Sequence, residues 1–316
     1  MGKPGGMRAI ALDDYGDADV LRLRELPDPP VGPDVVRIRV RGAGLNPVDY
    51  KIRQGHLRGA IPHHTPLIPG WDVAGVVDAV GPAVTGFAAG DEVMAYARKD
   101  TVQHGTYAEL VSVAEGAVAR KPASLSFAQA GGLPLAGLTA LQMLLAVDTG
   151  PGDVVLVHAA AGGVGHLAVQ LARALGATRV IGTASKGNHD FLYGLGCEPI
   201  EYGDDLPERL AALVGGDGRV DAALDFVGGD ALTQSPRLVR SPARHASVVD
   251  PHVKEQGGRY VFVRPDGDQL SSLADLADAG RLRVEVAREF PLDEAAPAQR
   301  LLEEGHVRGK LVLTLT

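Results

Sequence analysis

The run Asp153-Val-Val-Leu-Val-His158 leads into Ala159-Ala-Ala-Gly-Gly-Val-Gly165, after which Leu167, Ala168, Leu171, Ala172 and Leu175 recur at helical spacing. An apolar strand, a glycine turn and an amphipathic helix in that order make an anion-binding unit. The start of a helix presents N–H groups without partners and a partial positive charge, which suit a diphosphate and need no charged side chain. Read as Ala160-x-Gly162-x-x-Gly165, the turn has dinucleotide spacing with alanine in the first place. Gly162 lets backbone approach the pyrophosphate, and Gly165 lets helix and strand pack closely. Ala160, Gly162, Gly163, Val164 and Gly165 are therefore expected to bind a dinucleotide, the alternative being a tight turn that binds nothing.

The next apolar run ends in Gly182-Thr-Ala-Ser-Lys-Gly-Asn188, with no carboxylate before Asp190. An Asp or Glu at this place bonds the ribose hydroxyls of NAD and repels a 2′-phosphate. Here Ser185 can donate to a phosphate oxygen and Lys186 can neutralise it as a point charge, so NADPH is the expected cofactor, with Thr183, Ser185 and Lys186 in its site. A solvated surface lysine is the other reading of Lys186. Val227-Gly-Gly229 follows a later strand where a cofactor would cross the sheet, or it merely turns the chain.

Elements must hold these groups in place. Between Leu133 and about Arg264, apolar strands alternate with helical stretches, the pattern of parallel β-α-β units. Six strands are expected: Val154 to His158, Arg179 to Ala184, Pro199 to Tyr202, Val220 to Phe226, Arg244 to Val249 and Tyr260 to Val263. From Met7 to about Phe127, short β-rich runs (Val35 to Val40, Ala74 to Val80, Glu92 to Ala95, Ala108 to Val113) separated by Gly and Pro predict a compact β domain. After Gly267 come an expected helix Gln269 to Ala279, a strand near Leu282 to Val286, a helix Asp293 to Glu304 and a strand Lys310 to Leu315, which could return to the first domain. The domain reading is thus 7–127 with 267–316, and 128–266.

Composition narrows the partners. A length of 316 residues favours about two domains, and 41 glycines with 21 prolines disfavour an all-helical fold. The net charge of −8 has no compensating basic block, which argues against nucleic acid and anionic lipid and for a small molecule. Cys197 is the only cysteine, so an internal disulfide and a multi-thiolate zinc site are both excluded, and a reducing cytoplasm fits. No apolar run approaches membrane-spanning length, Met1 to Gly6 lacks the apolar stretch of a signal peptide, and a second plausible start follows at Met7.

Several separate stretches resemble one family, the zinc-free, quinone oxidoreductase-like branch of the medium-chain dehydrogenase/reductase superfamily. They are Gly44-Leu-Asn-Pro-Val-Asp49, Pro69-Gly-Trp-Asp-Val-Ala-Gly-Val-Val77, Gly90-Asp-Glu-Val93, Leu133-Pro-Leu-Ala-Gly-Leu-Thr139, the Ala159 to Gly165 turn and Arg308-Gly-Lys-Leu-Val-Leu313. The resemblance implies an α/β protein: a GroES-like β-barrel catalytic domain around an inserted, doubly wound Rossmann domain with a six-stranded parallel sheet. Zinc-dependent relatives place a cysteine before the segment matching Asp49 and a histidine in the segment matching Gly70-Trp-Asp72. Here those places hold Asn46 and Trp71, the four-cysteine lobe of structural zinc is missing, and no metal is expected, at His63-His64 or elsewhere.

What the resemblance implies for single residues follows. Asn46 matches a residue at the nicotinamide and substrate, where an amide holds a carbonyl oxygen; a helix-start role before Pro47 is its alternative. Thr139 matches a residue at the nicotinamide end, Tyr202 one near the 2′-phosphate, and Lys310 one near the cofactor, against helix, strand-packing and surface roles respectively. Tyr50, Lys51 and Tyr96 each offer a hydrogen bond or a proton; Lys51 joins Asn46 as a catalytic candidate, with a solvated helix face as its alternative. The expected activity is hydride transfer from NADPH to a quinone or an activated double bond. An enoyl-thioester reductase of polyketide or fatty-acyl metabolism is the runner-up, and a noncatalytic nucleotide-binding regulatory or structural protein stands as a different class. Finally, an unpaired edge on Tyr260 to Val263 would invite association, which predicts a homodimer through that strand.

Overall fold

In the strand Val35–Gly44, Val36, Ile38 and Val40 are buried while Arg39 and Arg41 face solvent, the period of two that one packed sheet face imposes. This strand lies inside a sheet ordered Val286–Pro291, Lys310–Thr314, Val35–Gly44, Asp72–Val80, Glu92–Tyr96 and Val118–Arg120, with Leu110–Ala114 paired to it as well. The structure, a computed structural model, describes residues 6–316, so the reading of Met1 to Gly6 as a leader-free start lies, Gly6 apart, outside the described residues.

The chain divides into two units by its own contacts. The first runs to Leu135 and takes in Pro265–Gly280 and Val284–Thr316; the second is Ala136–Arg264 with Arg281–Arg283. The first unit thus extends past residue 127, because the helix Phe127–Gly132 packs on the central strand. A Cβ added at Gly42 would lie 2.4 Å from Phe127 O.

Two short pairings in the first unit escaped the sequence reading, Gly6–Ala11 with Arg22–Pro27 and His63–Ile68 with Val102–His104. Arg22–Pro27 has no buried position, so it carries no alternation to detect. The strand expected at Leu282 to Val286 is a correction: the strand begins at Val286 and ends at Pro291. Leu282 and Val284 mimic strand alternation because both are buried, but they lie outside any strand, whereas Val286–Pro291 exposes most of its residues.

The second unit is a six-stranded parallel sheet in the order Glu198–Ile200, Arg179–Thr183, Val154–Val157, Ala222–Asp225, His245–Ser247, Arg259–Tyr260. Counted along the chain this is 3-2-1-4-5-6, the doubly wound order, whose crevice lies at the carboxyl ends of the strands where the order reverses. Leu156, Ile181, Ile200, Ala223, Leu206, Leu210 and Leu238 form one buried cluster of strand and helix side chains. The sixth strand needs correcting too. It spans Arg259–Tyr260 only, and Val261 adds one further bond to Ser247 O at 3.1 Å. The apolar run beyond it, with Phe262 half exposed, leaves the sheet.

Candidate functional site

The turn after Val154–Val157 is fixed by the neighbouring strand. Thr183 accepts from Ala159 N through its hydroxyl at 3.1 Å and from Ala160 N through its carbonyl at 3.0 Å, while Ala159 takes a φ of 51°. Thr183 is buried, so its part is to shape the turn. A Cβ at Gly165 would sit 2.2 Å from Ala159 O, which is why only glycine lets the helix Gly165–Ala174 start against this strand. Gly162 N closes the turn onto Ala159 O at 3.0 Å, whereas the amides of Gly163, Val164 and Gly165 have no acceptor among the described residues. Gly162, Gly163 and Val164 are partly exposed and Ala160 is buried beneath them. Partly exposed backbone and three unpaired amides at a helix start fit a diphosphate.

At the end of the strand Arg179–Thr183, Ser185 and Lys186 are exposed, as is Tyr202 beyond the strand Glu198–Ile200. The structure adds two residues that the sequence reading missed. Glu201 Oε2 lies 3.6 Å from Lys186 Nζ and 4.0 Å from Arg209 Nη1, and Arg209 also bonds Asp205 Oδ1 at 2.8 Å. Glu201 belongs to the next strand's end, so inspection of the second strand alone could not find it; its place directly before Tyr202 was the available signal. The hydroxyls of Ser185 and Tyr202 and the cations of Lys186 and Arg209 suit a phosphate dianion, and Glu201 pairs with both cations.

On the other side of the sheet centre, Asp225 ends the strand Ala222–Asp225 and is fully enclosed. Its Oδ1 accepts from Val227 N at 2.9 Å and Gly228 N at 2.8 Å, and its Oδ2 from Ser247 Oγ at 2.7 Å. One carboxylate therefore shapes the loops after two adjacent strands, and Gly228 and Gly229 take left-handed φ values of 77° and 58° within the first of them. Val227, an expected cofactor residue, is left exposed there. Thr139 is buried on the helix Pro134–Ala146.

The first unit holds a buried polar network. Asn46 precedes the helix Pro47–Arg53, and its backbone N–H donates to Asp49 Oδ2 at 2.8 Å. Its side chain turns away from the helix: Nδ2 donates to Asp72 Oδ2 at 2.8 Å and Oδ1 accepts from Lys310 Nζ at 2.6 Å. Asp72 Oδ1 also takes Leu135 N at 2.6 Å, and Tyr107 donates its hydroxyl to Asp49 Oδ2 at 3.0 Å. Burial pushes the Asp49 carboxyl up to about 7, against the hydrogen bonds of Asn46 and Tyr107 that favour its ionised form. Burial likewise raises Asp72 and lowers Lys310, each opposed by the other's charge. Lys51 stands apart from this network, half buried on its helix. Sequence inspection named Asn46 and Lys310 as cofactor-binding candidates, which the structure bonds to each other, and did not single out Asp72, which begins the strand Asp72–Val80, or Tyr107, which lies outside any strand.

Residues 32–123 match the alcohol dehydrogenase GroES-like domain family and residues 198–313 the zinc-binding dehydrogenase family. Among the described residues, no group of three or more His, Cys, Asp or Glu is arranged to hold a metal ion. The NADPH-dependent alkenal/one oxidoreductase of Arabidopsis thaliana is 36% identical over 98% of this chain and 80% of its own length. The 2-methylene-furan-3-one reductase of Solanum lycopersicum is 36% identical over 98% of this chain and 79% of its own. The structure of the quinone oxidoreductase from Coxiella burnetii superposes with a TM-score of 0.86 at 38% identity, covering 98% of this chain and all of that one. The chain belongs to the quinone oxidoreductase-like branch of the medium-chain dehydrogenase/reductase superfamily, and its two units are that superfamily's GroES-like and Rossmann folds.

Proposed function

We propose that this chain is an NADPH-dependent oxidoreductase that reduces a quinone or an α,β-unsaturated carbonyl compound without zinc. The observation that carries the reading is the turn at Ala159–Gly165, with three amides free at a helix start beside a strand end that offers Ser185 and Lys186. The names of the alkenal/one oxidoreductase and the furanone reductase support the acceptor class and NADPH. Bound NADPH would supply a hydride to the acceptor. The amides of Gly163, Val164 and Gly165 would hold its diphosphate; Ser185, Lys186 and Tyr202 the 2′-phosphate; Thr139 and Val227 the nicotinamide half. Asn46 would offer an amide N–H to the oxygen on which negative charge grows, with water returning the proton.

NADPH oxidation measured against a panel of quinones, enones and enoyl thioesters tests this. Turnover with at least one quinone is expected. Turnover confined to enoyl thioesters would move the assignment to carrier-linked reduction, and silence across the panel despite NADPH binding would mark a noncatalytic protein.

The assembly reading is a two-fold homodimer that covers the edge of the strand Arg259–Tyr260. Phe262, half exposed just beyond it, supplies apolar surface for such a contact. A concentration-independent monomer in sedimentation would overturn it. Among the described residues no helix is long and apolar enough to cross a membrane. The setting we infer is cytoplasmic, with which the lone cysteine, Cys197, is compatible.

A further inference from the structure

Lys310, which the resemblance puts near the cofactor, has its ammonium bonded within the first unit. Its residue is 3% exposed, and Nζ bonds Asn46 Oδ1 at 2.6 Å and Leu45 O at 2.7 Å and lies 3.8 Å from Asp72 Oδ2. An ammonium has three donors, and three acceptors surround this one. The same contacts fix Asn46. An ammonium can only meet its carbonyl oxygen and a carboxylate only its NH2, so the amide has one orientation. Nδ2 donates to Asp72 at 2.8 Å, and its one other acceptor among the described residues is Gly44 O at 3.4 Å, longer than an ordinary bond.

We propose that Lys310, balanced by Asp72, is a positioning residue that orients Asn46 and polarises its amide, making the loosely held Nδ2–H a stronger donor to the acceptor's oxygen. The proposal rests on the reductase reading above. As hydride adds to carbon, the acceptor's π-electron pair moves to its carbonyl oxygen, and a proton from water later completes the reduced product. Positive charge bonded to Oδ1 draws electron density from Nδ2, and chained hydrogen bonds strengthen one another in a buried setting. A buried cation thereby acts on the developing oxyanion through one amide.

The test is the double variant Lys310→Met/Asp72→Asn, which removes both charges so that neither is left buried alone, beside Lys310→Met. Three quantities are read: NADPH affinity by cofactor fluorescence without acceptor, the single-turnover rate of hydride transfer to a quinone that the wild type reduces, and affinity for substituted phenolates of graded basicity as stand-ins for the oxyanion. The expected result is NADPH affinity within about twofold of wild type, a hydride-transfer rate lower by about tenfold or more, and a flatter dependence of phenolate affinity on basicity. An unchanged rate and slope in a folded variant would overturn the proposal. So would a loss confined to NADPH affinity, which would return Lys310 to the cofactor. Should neither variant fold, the phenolate slope of Asn46→Ala decides: a slope like the wild type's overturns the proposal, and a flattened one supports it. A wild type that binds NADPH and phenolates but reduces no quinone or enone would instead refute the reductase reading.

Discussion

At the scale of single residues, charge decides. Lys186 is 81% exposed and already 3.6 Å from Glu201, so a 2′-phosphate bound there, as proposed above, would share it with a carboxylate. Lys186→Ala is expected to raise the KM for NADPH roughly five- to tenfold and leave that for NADH nearly unchanged, the modest size reflecting solvent screening. Glu201→Gln should lower the KM for NADPH roughly two- to threefold by removing the competing anion. Steady-state kinetics with both cofactors checks the pair. Asp49 makes a prediction about pH. Its carboxyl titrates near 7 when folded instead of 3.8, chiefly through burial, so the folded state binds its proton more tightly than the unfolded state does. The stability it contributes is therefore fully present below about pH 4 and is lost as pH rises through 7, on the order of 1.4 kcal/mol per pH unit within that window. Asn at this position can still accept from Asn46 N and Tyr107, so Asp49→Asn should show no such decline relative to wild type when urea midpoints are followed from pH 4 to 8.

At the scale of elements, the glycine turn shows why part of the molecule was legible from its sequence. The strand, Gly162, Gly165 and the periodic helix are local in the chain, and local sequence encodes their geometry. Gly165→Ala places a Cβ against backbone that cannot swing aside, 2.2 Å from Ala159 O and 2.7 Å from Ala160 Cα. A loss of about 1–3 kcal/mol is expected, read as a lower melting temperature together with weakened NADPH binding. The Lys186–Glu201 pair and the Ser247–Asp225 hydrogen bond were not legible, because each joins the ends of strands that are neighbours only in the sheet. Leu282 to Val286 misled for the opposite reason: its alternating burial is real but arises outside any strand. The sixth strand was overread because β-branched and aromatic residues measure how well a segment suits a half-buried surface, and Val261 to Val263 leave the sheet after one further bond.

At the scale of the whole molecule, strands from the two ends of the chain pair in one sheet and not in the other. The Rossmann sheet is built from residues 154–260, whereas the GroES-like sheet needs Val286–Pro291 and Lys310–Thr314 beside Val35–Gly44. Bringing such remote strands together carries a loop-closure cost that slows folding. In refolding followed by pulsed hydrogen exchange, amides of Val154–Val157 and Ala222–Asp225 are expected to gain protection before those of Val35–Gly44. Simultaneous protection of both sheets would contradict this.

The bond between Asn46 and Lys310 spans 264 positions of chain. During synthesis, Asp49 and Asp72 emerge from the ribosome long before the lysine that neutralises their surroundings. A nascent chain therefore carries Asp72, the carboxylate that lies 3.8 Å from the ammonium in the folded protein, with its cation still to come, and burying that charge beforehand would carry a desolvation cost. The late ammonium thus acts as a latch, since full burial of Asp72 is favoured only once the last strand brings Lys310 beside it.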